Sequence, residues 1–239
     1  MIEVIGFDAD DTLWHNETRF RKAEEFFKKL LGDHAEEAHI DEVLYRCELK
    51  NIASCGYGAK TFTLSMVEAA IELSERKVTG QEVAEIIQIG NEILSEPLLV
   101  FDGVREVLDE LRQEFDLMIV TKGDLMEQEN KIRRSGLGEF FRYTEIVTEK
   151  NSDIYGRLLR KYQFEPDRFL MVGNSLKSDV LPVMALGGHA VHIPYHTTWV
   201  HEQVPDHVAK ASDHHELAKL AELPPLIAQL YPRAKAKGN

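Results

Sequence analysis

The first dozen residues constrain this chain more than any other stretch. The apolar run Ile2-Glu3-Val4-Ile5-Gly6-Phe7, rich in β-branched residues, reads as a buried strand that stops at Asp8-Ala9-Asp10-Asp11-Thr12-Leu13-Trp14. Side chains alternate along a strand, so Asp8 and Asp10 leave it on the same side. Unpaired carboxylates at the end of a buried strand are costly unless donors or a cation meet them. One carboxylate can attack as a nucleophile while its neighbour handles a proton, and together they can hold a hard cation such as Mg²⁺.

The rest of the chain has two textures. From about Thr18 to Glu96 the apolar residues recur at helical spacing and no strand is evident. Phe20, Ala23, Phe27, Leu30 and Leu31 form one stripe, with Gly32 as a plausible stop, and Leu64, Val67, Ala70, Ile71 and Leu73 form another. Thr79-Gly80-Gln81-Glu82 has the capping-box pattern ahead of Val83, Ile86, Ile87 and Leu94. Beyond Pro97 strands and helices alternate, with strands expected at 115–120, 143–147, 169–173 and 190–193. That alternation implies a parallel sheet. The fold expected is therefore α/β, a Rossmann-like parallel-sheet core over 1–17 and 97–232 with an all-helical insert over 18–96. The tail 233–239 is expected to fray.

Composition narrows the partners. A net charge of −13 argues against nucleic acid, whose phosphates are held by clustered Lys and Arg. It would also repel an anionic substrate, so a local cation is needed to receive one. No stretch is long and apolar enough to span a membrane, and the first residues lack the layout of a signal peptide. Two cysteines, Cys47 and Cys55, fit reduced thiols in a cytoplasmic setting better than a disulfide framework.

Ligands of open parallel sheets bind beyond the carboxyl ends of the strands. Asp8 and Asp10 follow the first strand. Thr121-Lys122-Gly123-Asp124 follows the second, a hydroxyl and a glycine turn entering a helix, where phosphate oxygens find backbone N–H groups and the helix dipole. Lys150 follows the third, and Gly173-Asn174-Ser175-Leu176-Lys177-Ser178-Asp179 the fourth. Singly, each has a plainer reading: Thr121 ends a strand, Lys150 is a surface lysine, Asp179 caps a helix. Jointly they bring carboxylates, donors and a cation to one mouth.

Asp8-Ala9-Asp10-Asp11-Thr12 resembles the DxDxT signature of the haloacid dehalogenase-like (HAD) superfamily. Thr121 is similar to its second motif, Lys150 to its third, and Gly173-Asn174 through Asp179 to its fourth, GDxxxxD. A helical insert after the first motif resembles that superfamily's C1 cap domain. The resemblance implies Asp8 as nucleophile, Asp10 as general acid/base and Thr121 and Lys150 as phosphate binders. It also implies Mg²⁺ held by Asp8, the Asp10 backbone carbonyl and the fourth motif, Asn174 and Asp179. Asn174 departs from the pattern: its amide oxygen can ligate Mg²⁺, but one negative charge is missing.

Asp10 bears on the reaction. Expelling an alkoxide needs an acid, whereas family members that release halide lack a carboxylate at this position. The expected activity is thus a phosphatase acting on a small phosphorylated metabolite, with a phosphomutase, or a catalytically quiet binding protein, as alternatives. Asn51 to Lys60 reads equally as a specificity loop, with Lys60 or Tyr57 touching substrate, or as an ordinary interhelical loop. Trp14 either flanks the leaving group or packs at the hinge of the insert. Seven of the ten histidines lie between His189 and His215, but their spacings match no zinc pattern, so a solvated surface is expected, with His196 near the insert.

Overall fold

In the computed structural model, residues 2–212 and 214–231 are described; Pro232 and the tail expected to fray lie outside them. The first strand, β1 (Val4–Phe7), is followed by four helices: α1 (Glu17–Leu31), α2 (Glu37–Cys55), α3 (Ala59–Leu73) and α4 (Gly80–Ser95). The chain then runs through α5 (Val104–Leu111), β2 (Asp116–Lys122), α6 (Leu125–Ser135), β3 (Tyr143–Val147), α7 (Ser152–Tyr162), β4 (Phe169–Gly173), α8 (Leu181–Met184), β5 (His189–His192), α9 (Asp206–Ala211), β6 (His215–Glu216) and α10 (Leu223–Leu230). The sheet has the order β3-β2-β1-β4-β5-β6, with every pairing parallel. The α/β parallel-sheet architecture is the one expected, with β6 as an additional edge strand. At two residues, β6 is too short for a period-two pattern to register.

Alternation along the strands builds two cores. Ile5 and Phe7 join Leu117, Ile119, Leu170 and Val172 against α5 and α10. Val4 faces the other way, with Met118, Val120, Phe169 and Met171 against Tyr155, Leu158 and Leu159 of α7. Both faces are thus covered, which is why these strands read as nearly unbroken apolar runs. The four helices after β1 keep a separate core of Phe27, Ile40, Leu44, Met66, Ala70 and Ile86.

Local signals place several ends. Thr79 and Glu82 form the expected capping box at α4. Gly32 follows α1 in ordinary right-handed geometry, so it ends the helix without a left-handed cap. The anticipated loop from Asn51 to Lys60 is much shorter. α2 runs on through Cys55 because buried Asn51 donates to Ser65 and Glu68 of α3, leaving only Gly56, Tyr57 and Gly58 as the turn. The two connections between insert and sheet run side by side: His15 N–H donates to Leu99 O and Phe101 N–H to Leu13 O. Because β1 pairs with both β2 and β4, strand order reverses beside it, and the mouth at its carboxyl end is where such sheets bind ligands.

Candidate active site

β1 delivers Asp8, nine-tenths buried, to the floor of that mouth. Its Oδ1 meets Lys150 Nζ at 2.5 Å and its Oδ2 accepts from Thr12 Oγ1 at 3.2 Å. Burial raises the Asp8 carboxyl to about 7; Lys150 pulls it down while Asp179 pushes it up. Lys150 Nζ also reaches Asp179 Oδ1 at 2.6 Å. Burial works against the lysine's charge, but Asp179 and Asp8 hold its pKa well above the usual value. Asp179 uses its second oxygen to accept from Ser175 N–H at 3.0 Å. Gly173 makes this approach possible, since a Cβ there would stand 2.2 Å from Asp179 Oδ2. Asp179, expected as a metal ligand, holds both Lys150 and the Ser175 turn.

Asp10 is fixed by three donors. Trp14 Nε1 donates to Oδ1 at 2.7 Å, Lys131 Nζ to Oδ2 at 2.9 Å, and Gln128 Nε2 to Oδ2 at 3.2 Å. Its neighbour Asp11 sits at φ +61°, left-handed backbone that costs a non-glycine residue about 1 kcal/mol or more. That conformation lets the Asp11 carboxylate accept from the N–H groups of Asn16 and Glu17 and so cap α1. The strained turn thereby joins the Asp10 site to the first helix of the insert.

Thr121, expected just beyond β2, is inside it, where its Oγ1 accepts from Gln128 Nε2 at 2.5 Å. Lys122 and Gly123 line the same cavity, but both are engaged. Lys122 Nζ pairs with Glu202 at 2.5 Å and Glu149 at 3.3 Å, and Gly123 N–H donates to Val147 O at 3.3 Å. Asn174 turns its amide oxygen toward Thr12 Oγ1, at 3.4 Å, so Thr12 touches both it and Asp8.

Two expected substrate contacts sit elsewhere. Trp14 is fully buried in the sheet's core, where its indole orients Asp10 rather than facing a leaving group. Lys60 is exposed and pairs with Asp124 at 2.8 Å on the rim, because the first turn of α3 points it away from the cavity that Tyr57, Gly58 and Thr61 line. Tyr57 is the residue of that turn that enters. Its hydroxyl donates to Glu149 at 2.7 Å and its ring lies 4.2 Å from Lys122 Nζ.

Sequence reasoning missed Lys131, Gln128 and Glu202. A readable signal existed for the first two: α6 has no apolar stripe, and Gln128 and Lys131 are one turn apart, on the face a strand-covering helix must bury. Glu202 follows β5 by ten residues and carried no pattern.

The cavity encloses about 160 Å³, and its walls carry three lysines against nine carboxylates. The insert contributes Glu17, Glu24 and Glu48 to this excess, with Phe20 and Phe62 as its apolar wall. Each lysine already pairs with two acids: Lys150 with Asp8 and Asp179, Lys131 with Asp10 and Glu127, Lys122 with Glu149 and Glu202. Acids outnumber lysines along these walls, so a phosphate entering the cavity would gain from further positive charge brought with it. Asp8 Oδ2 and the Asn174 amide oxygen are an all-oxygen pair suited to a hard divalent ion, so the donor set fits Mg²⁺.

A family model of haloacid dehalogenase-like hydrolases matches residues 2–185. The chain belongs to that family. A haloacid dehalogenase-like family hydrolase from Xanthomonas campestris is 36% identical, with a TM-score of 0.85 over 95% of this chain and 91% of that one. The HAD-hydrolase YfnB of Bacillus subtilis is 28% identical over 139 residues, which is 54% of this chain and 55% of YfnB. Its solved structure, bound to magnesium, matches with a TM-score of 0.65. The glyceraldehyde 3-phosphate phosphatase of Methanothermobacter thermautotrophicus is 25% identical over 88% of this chain and 92% of its own length. As a HAD-like hydrolase the chain places its four motifs at four adjacent strand ends, all facing one cavity.

Proposed function

We propose that this HAD-like hydrolase is a Mg²⁺-dependent phosphatase of a small phosphorylated metabolite. The observation that carries the reading is the pairing of Asp8 with a second carboxylate, Asp10, in one cavity with Lys150 and Thr121. Asp8 attacks phosphorus, a new P–O bond forms to its carboxylate, and the bond to the substrate oxygen breaks. Asp10 gives its proton to the departing oxygen, the group that hydrolysis of an alkyl phosphate requires and halide release does not. Water then attacks the aspartyl-phosphate while Asp10 takes the proton back, releasing phosphate and restoring Asp8.

Lys150 and Thr121 bind and orient the phosphoryl oxygens, and Asp179 positions Lys150. Held by Asp8, the Asp10 carbonyl and Asn174, Mg²⁺ would neutralise those oxygens. The surplus of carboxylates supports this need, and a relative whose structure is bound to magnesium accords with it. A cavity of about 160 Å³ suits a small molecule. The name of the glyceraldehyde 3-phosphate phosphatase relative supports the phosphomonoester class. No helix among the described residues is long and apolar enough to cross a membrane, and both cysteines are unpaired, which fits a cytoplasmic setting.

The test is phosphate release from a panel of small phosphorylated metabolites, with Mg²⁺ and after chelation. Hydrolysis of at least one compound, lost on chelation and restored by Mg²⁺, is expected. Appearance of the phosphoryl group on an added acceptor sugar, with no free phosphate released, would point to transfer instead. No release from any compound, with aryl phosphate also inert, would overturn the reading.

A further inference from the structure

A second group of ligand atoms lies outside the cavity, at the free edge of the sheet. Parallel pairing sets His192, the last residue of β5, directly beside Glu216 of β6. Register partners in neighbouring strands point to the same face, and so does the residue two positions along. His214, just ahead of β6, lies beside them. One nitrogen from each imidazole and one carboxylate oxygen come within 4.8 Å of one another. None of the three residues lines the Asp8 cavity.

Their hydrogen bonds fix which nitrogens carry protons. His192 Nε2 stands 3.0 Å from the main-chain oxygen of Asn174, which can only accept, so Nε2 is the N–H. Nδ1 of the neutral ring is then a bare lone pair, and it faces Glu216 Oε2, another acceptor, at 3.1 Å. His214 repeats the pattern. Ser212 Oγ lies 3.0 Å from Ala209 O and 2.7 Å from His214 Nδ1, and with its one hydrogen on Ala209 O it accepts from His214 Nδ1. His214 Nε2 is the remaining lone pair, 3.9 Å from the same Glu216 oxygen. In these tautomers three acceptors converge with no donor between them. Only an extra proton or a cation satisfies such a group.

The outer hydrogen bonds favour a cation. A histidine that ligates a metal nearly always donates its other N–H to a carbonyl, carboxylate or other oxygen, which fixes the ring's orientation, and both rings do so here. In a tetrahedral zinc site with bonds of about 2.0–2.1 Å, neighbouring ligand atoms stand roughly 3.3 Å apart. The distances of 3.1 and 3.9 Å bracket that value. Imidazole nitrogen suits Zn²⁺ and disfavours Mg²⁺ and Ca²⁺, which take oxygen. We propose that His192, His214 and Glu216 bind a zinc-class divalent cation, with a fourth position open to water. The ion would tie β6 to β5 and, through His192 and the Asn174 carbonyl, to the turn that carries the fourth motif.

The experiment is Zn²⁺ binding to the metal-stripped full chain by equilibrium dialysis, in millimolar Mg²⁺ to cover all-oxygen sites, with thermal melting in parallel. One tightly held Zn²⁺ per chain and a raised melting temperature are expected. Glu216→Gln, a change at an exposed side chain, should weaken binding at least tenfold, and so should His214→Ala. His189→Ala, beyond the cluster, should bind like the unmodified chain. Asp8→Asn should also retain the ion, because that carboxylate belongs to the other site. The proposal is overturned if the unmodified chain holds no Zn²⁺, or if Glu216→Gln and His214→Ala hold it unchanged. It is equally overturned if Asp8→Asn, still folded by its melt, loses the ion.

Discussion

Asp8 and Asp10 are two residues apart in sequence, yet their surroundings divide the work between them. Asp8 is pressed against Lys150 on the floor of the cavity, whereas Asp10 is held by Trp14, Gln128 and Lys131 on its wall. Asp8→Asn should lower kcat by roughly a thousandfold or more, since an amide cannot form the aspartyl-phosphate. Asp10→Asn should cost about 10²–10⁴-fold on an alkyl phosphate, and distinctly less on an aryl phosphate whose leaving oxygen needs little help. Comparing kcat for both substrate kinds checks the division, and equal losses would remove Asp10 as the acid. Asn174 makes a separate prediction. Its amide oxygen and Asp8 share the Thr12 hydroxyl, so a carboxylate in its place adds charge where the cation would sit. Asn174→Asp should therefore lower the Mg²⁺ concentration giving half-maximal activity. A Mg²⁺ titration at fixed ionic strength that shows no shift would place Asn174 outside the ion's ligands.

Secondary-structure elements carry the link between insert and sheet. Ala59 N–H donates to Glu127 of α6, Lys60 pairs with Asp124, and Tyr57 reaches Glu149 across the cavity mouth. His201 adds a fourth tie, to Glu48 of α2. Tyr57→Phe keeps the ring under Lys122 but deletes one hydrogen bond, worth roughly 0.5–1.5 kcal/mol. The expected result is a KM raised a few-fold with the melting temperature nearly unchanged; an unaltered KM would mean that this contact does not hold the insert over the substrate.

The same elements explain what the sequence could reveal. Buried parallel strands such as β1 and β4 advertise themselves as apolar runs, and their polar ends mark the mouth. For that reason Asp8, Thr121, Lys150 and Asp179 could be named as candidates from order alone, and the structure brings them to one cavity. Trp14 and Lys60 could not be placed, because both depend on side-chain direction within a turn or two. The histidines illustrate a different limit. His192, His214 and Glu216 meet through strand register, which no linear ligand spacing encodes, so a segment expected to be solvated contains a buried imidazole. His196 is exposed, with its ring tilted against that of Tyr195, while His201 pairs with Glu48 of the insert.

For the molecule as a whole, the dominant feature is unbalanced negative charge: −13 overall, with buried acids concentrated where the insert meets the sheet. Glu17 is the clearest case. It is buried at the start of α1, and loss of solvation raises its carboxyl to about 8 despite Arg21 at 3.1 Å. In the unfolded chain the same group has its ordinary value near 4.5. A carboxyl whose folded pKa is the higher one retains its proton on folding, so its contribution to stability is fully present below about 4.5. That contribution is lost as pH rises toward about 8 and is flat beyond. A glutamine side chain at this position would imitate the neutral carboxyl at every pH. Glu17→Gln should therefore nearly match the unmodified chain in stability near pH 4.5, and should be more stable by on the order of 4–5 kcal/mol near pH 8.5. Denaturant unfolding of both chains across that range reads the difference directly, free of the other titrating groups they share. A gap that stays constant with pH would mean Glu17 is ionised in the folded protein, with Arg21 compensating for its burial.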